Sequence, residues 1–217
     1  MKINRTTNLP LDQFIEFALY NKDSGYYMKK NPFGKEGDFI TAPNITRLFS
    51  EIIGIWVLTF WKSIGSPKRF NLLELGAGNG EMMKVIIETL KNFPECFFTC
   101  NFQIHEKSEF LKNKQKLNLK SEKVTWIEKI QKNNSYPTIF LANEFFDALP
   151  IKQFFKKKEG WVERFVNFKE KNKAEFDEQL ADIKNIEQNL NFEISKKQEI
   201  IEYSPSSFVY LKNICNL

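Results

Sequence analysis

Leu72–Met82, LLELGAGNGEM, decides the fold. Leu72, Leu73, Glu74 and Leu75 run into Gly76, Gly78 and Gly80, and Met82, Met83, Ile86, Ile87 and Leu90 follow at helical spacing. The pattern predicts a strand, a glycine turn and a helix that stops at Phe93 and Pro94. Glycines accept positive φ and place no Cβ between backbone and ligand, so a nucleotide-like group can rest on such a turn beside a helix N-terminus. In an open α/β sheet this is the carboxyl end of a strand, where ligands bind.

The glycine spacing narrows the ligand. A dinucleotide fingerprint needs a glycine at position 81, which is Glu81. Instead, Glu74 to Gly80 reads E-x-G-x-G-x-G, which is similar to the first motif of class I S-adenosylmethionine (SAM) methyltransferases. A purely structural glycine turn is the other reading of that string. On the first reading Glu74, Gly76, Ala77, Gly78 and Gly80 are candidate cofactor contacts.

Upstream, Leu11, Phe14, Ile15, Ala18 and Leu19 mark a first amphipathic helix after Pro10. Residues 29–43 hold two glycines and two prolines and read as loop, with more aromatic and acidic content than a linker needs. A second helix is expected from an Asn44 N-cap, with Ile45, Leu48, Phe49, Ile52, Ile53 and Trp56 on its apolar side, ending at Gly65-Ser66-Pro67. Residues 1–66 are therefore expected to form a helical cap, and residues 67–217 the ligand-binding domain.

Downstream, Phe97–His105 is expected as the next strand, with Glu106 at its end. A carboxylate there offers two acceptors to the vicinal hydroxyls of a ribose; an exposed strand-end acid is the alternative. Val124–Ile127 makes a short third strand, and Tyr136–Ala142 a buried parallel one. That strand ends in Asn143, Glu144 and Asp147, where active-site loops of this architecture lie; helix capping by Asn143 and Asp147 competes with a functional role. Residues 151–168 read as a β-hairpin turning near Glu159 and Gly160, and residues 174–190 as a further helix.

Composition bounds the rest. In 217 residues, 42% hydrophobic and 27% charged content describes a globular chain, and 32 basic residues interspersed with 27 acids argue against a nucleic-acid surface despite a net charge of +5. Three cysteines without a Cys-x-x-Cys pair and a single histidine leave a zinc site short of ligands, so no metal is expected. No apolar run reaches membrane-spanning length, and the first ten residues carry no apolar leader segment.

Several separated motifs together resemble the MidA family, known in mitochondria as an assembly factor of respiratory complex I with protein-arginine methyltransferase activity. They are Gly25-Tyr26-Tyr27, Gly37–Pro43, Phe49-Ser50-Glu51, Leu72–Gly80 and Asn143–Pro150, and the likeness extends to about Pro205. The chain departs from the family where it has Asn44 in place of an acid, Ala77 and Asn79 near a proline and an arginine, and Lys107 to Glu109 after Glu106. Family members also continue into further strands, which implies an incomplete methyltransferase sheet here.

The resemblance implies a Rossmann-like class I SAM methyltransferase fold, SAM as cofactor, and methylation of an arginine of a respiratory complex I subunit during assembly. Glu106 and Asn143 join the glycine-turn residues as cofactor contacts. Tyr27, Asp38, Phe39, Thr41 and Pro43 are expected to line the substrate and cofactor cleft. Glu144 and Asp147 are the candidate catalytic pair, because two carboxylates can hold a planar guanidinium and bring one nitrogen to the methyl group. A homodimer is a further expectation, as is residence in a bacterial cytoplasm or, in a eukaryote, the mitochondrial matrix. Two rival functions stay open: a non-catalytic SAM-binding assembly factor, and a nicotinamide-dependent oxidoreductase, against which Glu81 stands.

Overall fold

A computed structural model of the chain describes residues 8–30, 32–34, 37–130, 136–170, 173–190, 194 and 198–215. Residues 1–7, part of the stretch read as lacking an apolar leader, lie outside them. In chain order the elements are β1 (Asn8–Pro10), α1 (Leu11–Tyr20), α2 (Tyr26–Lys29), α3 (Ala42–Ile45), α4 (Arg47–Ser63), β2 (Phe70–Leu75), α5 (Glu81–Leu90) and α6 (Pro94–Phe97). They continue with β3 (Cys100–His105), α7 (Glu109–Asn118), β4 (Val124–Ile127), β5 (Thr138–Leu141) and β6 (Lys152–Lys157). The last are β7 (Gly160–Glu170), β8 (Lys173–Leu180), α8 (Lys184–Leu190), β9 (Ile200–Tyr203) and α9 (Pro205–Cys215).

The chain divides into two compact units, one from the described residues of Met1–Leu19 and Leu149–Leu211, the other from those of Tyr20–Ala148 and Lys212–Leu217. This grouping cuts across the expected boundary at residue 66, because β1 pairs with β7 and draws the first helix to the hairpin sheet.

The second unit holds the glycine turn. Its sheet runs β4-β3-β2-β5 with every pair parallel, and Leu72 of the central strand faces Phe102 on one side and Ile139 on the other. All six residues of β2 are buried, as a strand flanked on both edges and covered on both faces must be. Phe70, Leu72, Ile104 and Ile139 pack with Met83, Ile86 and Leu90 of α5 and with Val57 and Trp61 of α4. Burying each such side chain contributes about 1.5–3 kcal/mol. Asn71, polar in this core strand, is satisfied sideways: it donates to Thr138 Oγ1 at 3.2 Å and accepts from Asn101 Nδ2 at 3.1 Å. Among the described residues no strand pairs with the outer edge of β5.

The first unit is an antiparallel sheet ordered β1-β7-β6-β9, with β8 on β7. The hairpin turns where expected, with Lys157 opposite Gly160. Lys152 is held by Glu163 at 2.6 Å and Asp12 at 3.2 Å, all three partly buried.

Four local expectations are corrected. Residues 174–190 do not form one helix: β8 pairs with β7 from Lys173 to Leu180, and only Lys184–Leu190 is helical. Strand β3 starts at Cys100 rather than Phe97, since Pro94 opens a helical turn that its fixed φ suits. The N-cap of α4 is Thr46, whose Oγ1 accepts from Leu48 N–H; Asn44 lies within α3. The expected apolar side of α4 is largely exposed, with Leu48 at 59% and Ile52 at 58%, whereas Ser50, Gly54, Val57, Leu58 and Trp61 turn inward. A helix apolar nearly all round has no unique moment, so the tertiary partner selects the buried stripe.

Candidate functional site

The glycine turn begins where β2 ends: Gly76 N–H donates to His105 O at 2.9 Å, so the turn starts level with the end of β3. Gly76 and Gly78 have φ of +65° and +55°, conformations that side chains strain to adopt. Space is short for side chains as well. A Cβ on Gly76 would lie 2.7 Å from Phe145 Cδ2, and one on Gly78 would lie 3.2 Å from Phe33 Cδ2. Gly80, also at positive φ, stands at the N-cap of α5.

Two carboxylates are buried at the ends of the adjoining strands. Glu74 is 3% exposed, and its Oε2 has no hydrogen-bond partner. Burial, then the nearby Glu106 charge, pushes its pKa up to about 8, against a hydrogen bond from Met83 N–H. It is therefore largely protonated at neutral pH.

Glu106, also buried, is not the exposed strand-end acid of the alternative reading. Its Oε1 accepts from Ser108 N–H at 2.9 Å, and its Oε2 accepts from Gln115 Nε2 at 3.0 Å. Burial raises its pKa, opposed by these donors and by the Lys107 backbone N–H. A carboxylate accepts about four hydrogen bonds, so capacity remains for a ligand hydroxyl.

A cleft gathers Thr41, Pro43, Glu74, Gly76, Ala77, Gly78, Asn143 and Glu144 from the expected set. Phe33, Asn44, Asn79 and Met82 line it too and were not expected. Asn44 and Asn79, two positions at which the chain departs from the MidA pattern, hydrogen-bond each other at 3.0 Å. Asn44 Nδ2 also donates to Thr41 Oγ1 at 2.8 Å, tying the N-terminal loop to the glycine turn. The aromatic content of residues 29–43 was the sequence signal for Phe33.

Other expected residues stand apart from that lining. Asp38 is exposed and bonded by Lys30 and Tyr26, which hold its pKa below the usual carboxylate range. Phe39 is 49% exposed. Tyr27 stacks between Tyr20 and Phe33, with centroids 5.6 and 6.2 Å away. Burial raises the pKa of its phenol, and the charges of Asp147 and Glu144 add to the rise, which places Tyr27 near both acids.

The loop after β5 is not helical, so Asn143 and Asp147 cap no helix there. Glu144 and Asp147 are both exposed, and Glu144 has φ +48°. That left-handed conformation costs a non-glycine residue about 1–3 kcal/mol, and such strain clusters at functional sites.

The sheet order, the glycine turn and the paired strand-end acids define the class: this is the class I SAM methyltransferase fold. A protein from Burkholderia thailandensis, crystallised with bound S-adenosyl-homocysteine, superposes with a TM-score of 0.79 at 21% identity, over 96% of this chain and 55% of that one. Residues 52–217 match the family described as "Putative S-adenosyl-L-methionine-dependent methyltransferase", and the chain belongs to that family. Curated relatives include the mitochondrial protein arginine methyltransferase NDUFAF7 of Xenopus laevis, 30% identical over 76% of this chain and 44% of its own length. The Bos taurus protein of the same name is 32% identical over 76% of this chain and 43% of its own. The chain thus spans about half the length of these relatives. Among the described residues no helix is long and apolar enough to cross a membrane, and no group of three His, Cys, Asp or Glu residues could hold a metal ion.

Proposed function

We propose that the second unit binds SAM on the Gly76–Gly80 turn and that the chain acts as a protein-arginine methyltransferase on a respiratory complex I subunit during assembly. The observation that carries this reading is the turn itself: glycines at positive φ under Phe33 and Phe145, between the buried acids Glu74 and Glu106. The family match supports the cofactor, the relatives' name the arginine acceptor, and the MidA resemblance the complex I subunit.

The residues fit the cofactor. Glu106, outside the cleft lining but bonded to the glycine turn through Gln115, would accept from the ribose hydroxyls, Gly76, Ala77 and Gly78 would lie under the nucleoside, and Glu74 and Asn143 would meet the amino-acid end. When bound, SAM supplies an electrophilic methyl on a sulfonium, so the protein has to position and desolvate rather than activate. Glu144 and Asp147 would hold the acceptor guanidinium as a bidentate pair, with Tyr27 near both acids and Thr41 and Pro43 in the cleft wall, and Asp38 and Phe39, outside that lining, would meet the protein substrate.

A non-catalytic SAM-binding assembly factor is the second reading, favoured by the exposure of both Glu144 and Asp147. We place the chain in a bacterial cytoplasm, or in the mitochondrial matrix of a eukaryote, as its free cysteines suit. We further infer a homodimer through α4. Leu48, Ile52, Ile55, Trp56 and Phe60 of α4, with Ile45 before it and Ile64 after it, are exposed apolar residues. Sedimentation equilibrium tests it: a wild-type dimer that Ile52→Lys returns to monomer is expected, and a wild-type monomer overturns it.

A thermal-shift titration tests the cofactor site. S-adenosylhomocysteine at about 100 times its dissociation constant adds roughly 2.7 kcal/mol, a shift of several degrees. The shift is expected with S-adenosylhomocysteine, not with NADH, and is lost in Gly78→Val. Transfer of labelled methyl from SAM to an arginine of a complex I subunit then separates the enzyme from the binding factor. No shift with S-adenosylhomocysteine overturns both readings.

A further inference from the structure

Gln115 lies in the middle of α7, on no motif of the sequence, and it is completely buried. Both its amide hydrogens are used and its oxygen has a donor. One Nε2 hydrogen goes to Gly78 O at 3.0 Å and the other to Glu106 Oε2 at 3.0 Å, while Oε1 accepts from Trp126 Nε1 at 2.8 Å. The indole can only donate and the Gly78 carbonyl can only accept, so the amide has one orientation that serves all its partners.

We propose that Gln115 is a positioning residue for cofactor binding. It fixes the distance and direction between the Gly78 backbone and the Glu106 carboxylate. The inference rests on the SAM-site reading above and deepens it. Three observations point beyond simple core filling. A buried glutamine is a costly choice at a position that leucine or methionine would fill, unless its hydrogen bonds are used. Those bonds run to the two groups on which a bound nucleoside would depend, the glycine turn and the ribose acid, which come from different βα units. Ser108 N–H and Gln115 also occupy separate oxygens of Glu106, so the carboxylate cannot rotate, and its remaining lone pairs keep one direction.

Gln115 touches no reacting atom in this scheme. It acts through Glu106, and Trp126 acts through Gln115. A residue that merely stabilised the unit would weaken cofactor binding by the same factor whether or not Glu106 were present. A positioning residue loses its effect once Glu106 is gone.

The test is a double-mutant cycle on S-adenosylhomocysteine affinity, measured by isothermal titration calorimetry on the whole chain, with thermal unfolding recorded for each variant. Gln115→Met is expected to weaken binding about tenfold beside Glu106, the range of one net hydrogen bond, and less than threefold in a Glu106→Ala background. Equal losses in both backgrounds, or no loss in either, overturn the proposal while leaving the SAM-site reading intact. Absence of binding by the wild-type chain overturns the SAM-site reading and the proposal with it. If Gln115→Met does not fold, Trp126→Phe replaces it in the same cycle. That change removes only the donor that orients the amide, and the same Glu106-dependent loss is expected.

Discussion

Glu74 and Glu106 are buried together at the carboxyl ends of two adjacent parallel strands, and the charge of Glu106 adds to the burial that raises the Glu74 pKa to about 8. In the unfolded chain a glutamate titrates near 4.3. Between those values the folded state binds the extra proton, so raising the pH costs stability until about pH 8 and then no further. The raised pKa of Glu106 acts in the same direction. His105, buried with a lowered pKa, opposes this only as the pH falls below the ordinary histidine range. Urea denaturation should show roughly 2 kcal/mol less stability at pH 8.5 than at pH 6.5. Glu74→Gln should remove most of that slope, and an unchanged slope would show that Glu74 is not the group responsible.

Gly76 is more constrained than Gly78, because a Cβ there would meet Phe145 at 2.7 Å rather than a neighbour at 3.2 Å. Gly76→Ala should destabilise by about 2 kcal/mol through strain and overlap together, and Gly78→Ala by about 1 kcal/mol. The ordering is checked by denaturation midpoints. Both variants should also weaken S-adenosylhomocysteine binding, since relieving the overlap and the strain would displace the turn proposed to carry the cofactor.

Glu144, exposed and at φ +48°, should separate function from stability. Glu144→Gly relieves the left-handed strain and should stabilise by about 1 kcal/mol. The same change removes one arm of the proposed guanidinium clamp, so methyl transfer should fall at least tenfold while S-adenosylhomocysteine affinity stays within about threefold. A variant that kept full transfer activity would take Glu144 out of the acceptor site.

The Asn44–Asn79 hydrogen bond links the N-terminal loop to the glycine turn. Asn44→Asp alone keeps the acceptor for Asn79 Nδ2 but loses the donor to Thr41 Oγ1 and places a carboxylate without a cation in a partly buried site, and should cost about 1–2 kcal/mol. Adding Asn79→Arg should recover most of it by forming an ion pair, a coupling visible in a double-mutant cycle of unfolding free energies. Strict additivity would show that the two side chains do not depend on each other.

Much of this was legible in the chain because it is local. Leu72–Leu75, the glycines after them and the apolar run at Met82–Leu90 specify a strand, a turn and a helix through neighbours alone, and Glu159 with Gly160 places a hairpin in the same way. Residues 174–180 read as helix in the sequence because Phe176 and Leu180 also suit one. Their apolar side chains are exposed, and backbone pairing with β7, not burial, makes them a strand.

By itself the sequence determined the strand, turn and helix unit of Leu72–Leu90, the identity of the turn, and the acids at the ends of β2 and β3 and in the loop after β5. The buried face of α4, the pairing of Asn44 with Asn79, the seating of Phe33 and Phe145 on the turn, and the insertion of Gln115 between Gly78 and Glu106 were decided only by the tertiary structure. The physical reason is reach. A local pattern records how a residue sits on its own element, whereas these contacts join residues up to 69 positions apart, and their geometry exists only once the sheet and its covering helices have packed.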